Sequence, residues 1–329
     1  MSAPARVAGG AAAAAAAPAT DSAAGSGAPT NVRVCCRVRP PRVAGESLAL
    51  VPDAFRPNTV RLPDPRDLRS SVNGKARTVS AGTEFGFDAL YMPDATTERL
   101  YSESIEPLVR SALEGYNCTV FAYGQTGSGK THTMGAVHAR SVTETVAGVP
   151  RTVEVFEAVG IIALAIGTLD RLRAVAPAAL RVSASFVEIY DERVYDLLGD
   201  TAAVRARPLN LTSFAVVGAT KLDTREDATL ERLVRGFIRG HRHRHTAATN
   251  MNDRSSRSHG LFLIDVEYER NGKTARSRIS FADLAGSERV DRSGVTGNEL
   301  QEACSINSSL HHLGKVVQDL EEGSPTVMY

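Results

Sequence analysis

FAYGQTGSGKTHTM, residues 121–134, decides the fold. Gly124-Gln125-Thr126-Gly127-Ser128-Gly129-Lys130-Thr131 satisfies the phosphate-loop pattern G-x-x-x-x-G-K-[ST] in full. Glycines let backbone N–H groups curl around phosphate oxygens, and the helix that follows adds its dipole. In such a loop Lys130 reaches the β- and γ-phosphates, and the Thr131 hydroxyl binds Mg²⁺. The context agrees: NCTVFAYG reads as a buried strand leading into the loop, and a helical pattern follows it. The loop alone implies a purine nucleotide triphosphatase or kinase.

Working outward, NVRVCCRVRP (31–40) alternates as a strand and ends at Pro40. Residues 41–84 read as irregular. From Thr97 to Leu113 apolar positions recur at helical spacing, with Pro107 predicting a kink or restart. RVSASFVEIY, LFLIDVEYE and RISFADLAG are further strands. Leu230, Leu233, Val234, Phe237 and Ile238 mark a helix, with Thr224 and Asp227 placed like a capping box. A last helix over Ser305–Leu320 is apolar on one face. Strands alternating with helices predict a three-layer α/β/α P-loop NTPase fold around a central, mostly parallel twisted sheet.

Composition bounds the rest. The chain has 329 residues, 38 Lys+Arg against 37 Asp+Glu and a formal charge of +1. With no global field, an acidic partner must be met by local basic patches, and no nucleic-acid partner is expected. Four cysteines without metal or secreted-framework spacing read as reduced thiols. No apolar run approaches the roughly 20 residues needed for a membrane span. Residues 1–30 are low-complexity Ala, Gly, Ser, Pro and Thr, which predicts a disordered tail. HRHRH (241–245) reads as an exposed stretch: alternating residues at a helix end do not converge on one ion.

Two more segments bear on the chemistry. In NMNDRSSRSH (250–259), Ser255, Ser256 and Arg257 suit a loop that senses a γ-phosphate. In DLAGSER (283–289), Asp283 stands at a strand end, where a metal-facing carboxylate belongs. Gly286 allows close backbone approach to the γ-phosphate, and Glu288 is a candidate partner for Arg257.

Together the three segments closely resemble the kinesin motor domain. Switch I appears as Asn252 to His259 and switch II as Asp283 to Glu288. Supporting matches are RVRP (37–40), FGFD (85–88), GII (160–162), VEIYDERVYDLL (187–198) and INSSLHHLGKVV (306–317). The resemblance implies an ATP-dependent microtubule motor in the cytoplasm, on the cytoskeleton, hydrolysing ATP with Mg²⁺. It places Arg37, Pro40 and His132 around the adenine, and the metal on Thr131 and Ser256, with Asp283 holding it through water. Ser255, Ser256, Gly286 and Glu288 would position the attacking water. Arg257–Glu288 would latch both switches over the γ-phosphate. The helix 305–320 would face the microtubule through His311, His312, Lys315 and Gln318, with Arg205, Arg207, Arg289 and Arg292 as further basic contacts.

Residues 134–160 correspond to a variable loop of that family. The family also continues with a further strand, set between the first strand and the one feeding the phosphate loop, where this sequence stops at EEGSPTVMY. The expectation is therefore a motor domain over 31–329 that is incomplete at its C-terminus and poorly stable. The alternative is a kinesin-like protein that binds nucleotide or microtubules without productive turnover. A guanine-specific switch is disfavoured, because no Asn-Lys-x-Asp segment is present.

Overall fold

The computed structural model describes residues 6–7, 32–41, 50–62, 83–146, 149–211, 216–225, 227, 229–249, 257–288 and 309–319. Of the first thirty residues only Arg6–Val7 falls within these, as a short strand, β1. β2 is Cys35–Arg37. The stretch read as irregular holds a small antiparallel sheet of β3 (Val51–Pro52), β4 (Thr59–Leu62) and β5 (Thr83–Gly86). β6 (Ala89–Tyr91) lies parallel to β2.

The helix expected over 97–113 is built in three parts. α1 (Thr97–Leu100) is capped by Thr96, whose hydroxyl accepts from the Arg99 N–H. A π-helical turn, Tyr101–Ile105, follows, and α2 (Glu106–Ala112) starts anew with Pro107 in its first turn. Proline has no N–H to give, so the restart puts it where a helix leaves that donor unused.

β7 (Cys118–Ala122) feeds the phosphate loop and α3 (Lys130–Met134). The variable segment after it is a long hairpin, β8 (Ala136–Val146) with β9 (Val149–Val159), and β1 pairs with β9 at Glu157 and Ala158. α4 (Ile161–Val175) leads to β10 (Leu180–Tyr190) and β11 (Arg193–Asp196). α5 (Ala202–Ala206), β12 (Pro208–Leu211), β13 (Val216–Val217) and β14 (Leu222–Asp223) follow. α6 (Glu231–Thr249), β15 (His259–Arg270), β16 (Lys273–Asp283) and a helix over 309–319, α7, complete the order.

The main sheet runs β13-β12-β11-β10-β15-β16-β7, with β14 also beside β10. It is mixed, and this corrects the expectation of a mostly parallel sheet. Among the described residues only its β16–β7 pair is parallel, while β10–β11, β10–β15 and β15–β16 are antiparallel. Tight turns account for two of these pairs: Asp191 and Glu192, with φ of 50° and 59°, join β10 to β11. Asn271 and Gly272 turn β15 into β16 with φ of 52° and 70°, a two-residue hairpin loop that forces antiparallel pairing. Among the described residues, β7 pairs only with β16 and β2 only with β6.

The capping-box reading also changes. Thr224 is fully buried and donates its hydroxyl to the Val182 carbonyl, while α6 begins only at Glu231. Arg173 holds that approach, donating to Thr224 and to the Asp227 carbonyl.

The core lies between the sheet and helices α2, α4 and α6. Strand alternation puts Phe262, Ile264 and Val266 of β15 on the buried face. Register aligns Phe186, Phe262 and Phe281 across three neighbouring strands. Phe237 of α6 packs on this row, 5.6 Å from Phe186 and 5.4 Å from Phe262 by ring centroid. One turn further along α6, His241 is only 7% exposed and its Nε2 has no partner. The histidine tract is therefore partly core rather than exposed, because its spacing continues the apolar face of α6.

Burial, with the nearby His245 and Arg244, lowers the His241 pKa to about 3. The ring is thus neutral in the folded protein, while the unfolded chain protonates it near its ordinary value. Its contribution is fully present above about pH 6.5 and is lost as pH falls below that toward 3, by up to about 1.4 kcal/mol per pH unit. Urea denaturation of wild type and His241→Phe at pH 7, 6 and 5 should show a shallower decline in the variant; identical slopes would contradict this.

Candidate nucleotide site

The loop is built by its sequence. Gly124 and Gly127 take φ of 150° and 76°, and Gly129, at 102°, caps α3. These values are strained for residues with a Cβ, so the glycines are the reason the loop can close. The Ser128 N–H donates to the Gln125 carbonyl across the bend. Lys130 Nζ folds back to donate to the Gly124 and Gln125 carbonyls at 2.8 and 3.1 Å. Burial lowers the Lys130 pKa, against the opposing pull of the Asp283 and Glu288 carboxylates.

The segment after β16 comes alongside. Leu284 N–H donates to the Ala122 carbonyl and Ser287 N–H to the Gly124 carbonyl. Thr131 Oγ1 donates to Asp283 Oδ2 at 2.7 Å. Glu288 accepts from the Thr126 backbone N–H at 2.9 Å and from the Thr126 hydroxyl at 2.5 Å. Partial burial would raise the Glu288 carboxyl, but these bonds and the Lys130 charge outweigh it and hold its pKa below the usual carboxylate range. Gly286 is cradled between the Glu288 carboxylate and Thr126 Oγ1, where any Cβ would overlap both.

A cavity of about 810 Å³ opens beside the loop. Arg37, Pro40, His132 and Leu284 line it together with residues 126–131. Arg37 is fixed by donating to Thr133 and Thr97 hydroxyls at 2.9 and 3.0 Å. Arg39 donates to the Gly127 carbonyl. Burial, then the charges of Arg37, His138 and Arg39, lower the His132 pKa, so a neutral ring faces the cavity.

Sequence reading missed the floor of the site. Arg244, two turns after Phe237 on α6, is buried and donates Nη1 to Asp283 Oδ2 at 2.6 Å and Nη2 to the Ser258 carbonyl at 3.0 Å. Its Nε lies 3.7 Å from Glu188 Oε1, which accepts from the Ser258 hydroxyl at 2.7 Å. The signal available was the i, i+7 spacing from Phe237 to Arg244, which puts both on one helix face.

Ser255 and Ser256 lie outside the described residues, as do Arg289 and Arg292. Arg257 directly precedes Ser258, which is fully buried, so the end of that segment is anchored. On α7, His311, His312, Lys315 and Gln318 are exposed, while Leu310, Leu313 and Val317 are half-buried. His259 links α7 to the site: its Nδ1 accepts from the Ala285 N–H and its Nε2 meets Ser309 Oγ at 3.1 Å. Burial and the Arg244 charge lower the His259 pKa to about 4, so the ring stays neutral and keeps accepting. Arg207 is exposed, whereas Arg205 is half-buried and donates to the Gly199 carbonyl.

Comparison with known proteins shows the family. Residues 44–329 match the family described as the kinesin motor domain. The chain is 35% identical over 306 residues to kinesin-like protein KIN-14G of Arabidopsis thaliana, covering 91% of this chain and 28% of that protein. It is 38% identical over 252 residues to the kinesin heavy chain of Drosophila melanogaster, covering 75% of this chain and 24% of that protein. A solved structure of a fast kinesin superposes with a TM-score of 0.67 at 29% identity, covering 90% of this chain and 77% of that one. The chain thus spans under a third of the length of these curated relatives.

Arg244, Asp283 and Glu188 have side chains only 5%, 8% and 2% exposed. Removing the cation leaves two carboxylates buried together, at a cost of about 3–5 kcal/mol. Arg244→Met is expected to lower the urea-unfolding free energy by that amount at pH 7; a loss under about 1 kcal/mol would show that the pair carries no structural weight.

Proposed function

This chain belongs to the kinesin motor-domain family, and on that premise we propose that it is an ATP-driven microtubule motor domain, acting in the cytoplasm on the microtubule cytoskeleton. The observation that supports this best is the junction of loop and switch: Thr131 on Asp283, and Thr126 on Glu288. A site that must grip a terminal phosphate and release it needs both segments within reach of the same atoms.

The residue roles proposed here are those of the matching sequence motifs. Arg37, Pro40 and His132 hold the adenine side, where the neutral imidazole offers a face for stacking. Gly124 to Gly129 supply backbone N–H groups to the phosphates, and Lys130, now on loop carbonyls, exchanges them for β- and γ-phosphate oxygens. Gly286 brings a backbone N–H close to the γ-phosphate. Ser255, Ser256 and Glu288 orient the attacking water, and Arg257 pairs with Glu288 to close the site. Catalysis is positioning and charge stabilisation, because phosphoryl transfer asks little covalent help of the protein.

The residues present fit Mg²⁺. Asp283 Oδ1 is buried without a hydrogen-bond partner, beside the Thr131 hydroxyl on Oδ2. Hard oxygen donors suit that ion, which favours one or two protein ligands plus substrate phosphates. Thr131 and Ser256 would ligate the ion and Asp283 would hold it through water; when bound, it neutralises charge developing on the phosphates.

Exposed His311, His312, Lys315 and Gln318 of α7 are the proposed track-facing groups. Among the described residues no helix is long and apolar enough to cross a membrane.

ATPase measured with and without microtubules tests the proposal. The chain should hydrolyse ATP and be stimulated by microtubules; binding without stimulation would instead support a non-motile binding protein. Lys130→Ala should lower turnover by at least about 100-fold. Glu288→Ala should retain ATP but lose hydrolysis, and normal hydrolysis by that variant would remove Glu288 from the mechanism.

A further inference from the structure

Register places three residues in a row on the core face of the sheet. Glu188 of β10 pairs with Gly260 of β15, and Gly260 pairs with Asp283 of β16. The middle position has no side chain, and the Arg244 guanidinium lies in that space. A Cβ at Gly260 would come within 2.8 Å of Nη1 and 3.1 Å of Cζ. The arginine therefore lies flat over one strand with a carboxylate on each side: Asp283 at 2.6 Å from Nη1 and Glu188 at 3.7 Å from Nε. A hydrogen bond from Nη2 to the Ser258 carbonyl further fixes the rotation.

Among the described residues the cation faces two carboxylates unequally: it donates a hydrogen bond to Asp283, while Glu188 acts on it by charge across 3.7 Å. Nη1 reaches only Oδ2 of Asp283, and Oδ1 is left buried and without a hydrogen-bond partner. A guanidinium whose sole counter-charge was Asp283 would favour the two-bond fork that planar Arg–carboxylate pairs adopt. That fork would occupy Oδ1 as well.

We propose that Glu188 is a positioning residue which, through the gap at Gly260, holds Arg244 away from Oδ1 of Asp283 and so keeps that oxygen available to the divalent cation accompanying the nucleotide. The inference rests on the reading of Asp283 as the metal-facing carboxylate. Glu188 touches neither nucleotide nor metal. It acts through Arg244, and its hydrogen bond from Ser258 ties the same control to the end of the segment bearing Arg257.

Retention of a fluorescent ADP analogue at graded Mg²⁺ concentrations, down to excess EDTA, measures this without turnover. Glu188→Gln keeps an acceptor for Ser258 and removes the charge. It should raise the Mg²⁺ concentration for half-maximal retention by roughly 10- to 100-fold, the range for residues that orient metal ligands. Affinity in EDTA should stay within about twofold of wild type. Gly260→Ala, which displaces the guanidinium, should shift the Mg²⁺ midpoint in the same direction. Ser258→Ala, which leaves both charges in place, should not.

An unchanged midpoint in Glu188→Gln overturns the inference, as does an equal loss with and without Mg²⁺. Should that variant fail to fold, an unchanged midpoint in Gly260→Ala overturns it. A wild-type chain that retains ADP equally with Mg²⁺ and in EDTA would instead sink the Mg²⁺ reading on which the inference stands.

Discussion

The site depends on a cation lying inside the protein. Arg244 is buried by α6 above and the sheet below, where Asp283 and the Ser258 carbonyl accept its hydrogen bonds and the Glu188 carboxylate adds a second negative charge 3.7 Å from Nε. Taking a guanidinium out of water costs several kcal/mol unless its charge and donors are met. The same atoms that meet them define the floor of the nucleotide site. Fixing Arg244 fixes the carboxylate at the end of β16, and that carboxylate holds the Thr131 hydroxyl at the start of α3. A requirement of stability and a requirement of function are thus met by one set of bonds.

The aromatic row makes this placement repeatable. Phe186, Phe262 and Phe281 lie one step along the strands from Glu188, Gly260 and Asp283. On α6, Phe237 covers the first row, and Arg244, seven residues later, covers the second. A one-residue slip in β15 would send Phe262 to the other face and replace Gly260 with His259 or Leu261 beneath the guanidinium. The apolar core therefore sets the register on which the polar row depends.

What was legible in the sequence follows the same division. The phosphate loop was readable in full, because its chemistry is carried by consecutive residues, and so were Asp283 and Glu288, which lie just after a clear strand. The antiparallel β15–β16 pair was also legible through Asn271-Gly272, yet strand count and alternating helices drew the reading to a parallel sheet. Residues 134–160 match a variable loop of the family, and their long alternating runs suit the hairpin that β8 and β9 form. Glu188, Gly260 and Arg244 could not be joined from sequence: each belongs to a different element, and only register across three strands brings them together. The histidine tract misled for a related reason, since its alternating pattern hides that His241 and Arg244 continue the buried stripe begun by Phe237.

The path from site to proposed track surface is short. Ala285, between Asp283 and Gly286, donates its N–H to His259, and the other ring nitrogen of His259 meets Ser309 at the start of the described part of α7. An imidazole can bridge two elements this way only while neutral, accepting at Nδ1 and donating at Nε2. Burial and the Arg244 charge enforce that state by depressing its pKa to about 4. Burial, aided by the Arg244 charge, therefore keeps the bridging ring neutral, and the Ala285 N–H fixes Nδ1 as its accepting nitrogen. A shift of Gly286 and Glu288 toward a terminal phosphate would move Ala285 with them, and the hydrogen bond to His259 supplies a direct route for that movement to reach the exposed face of the helix.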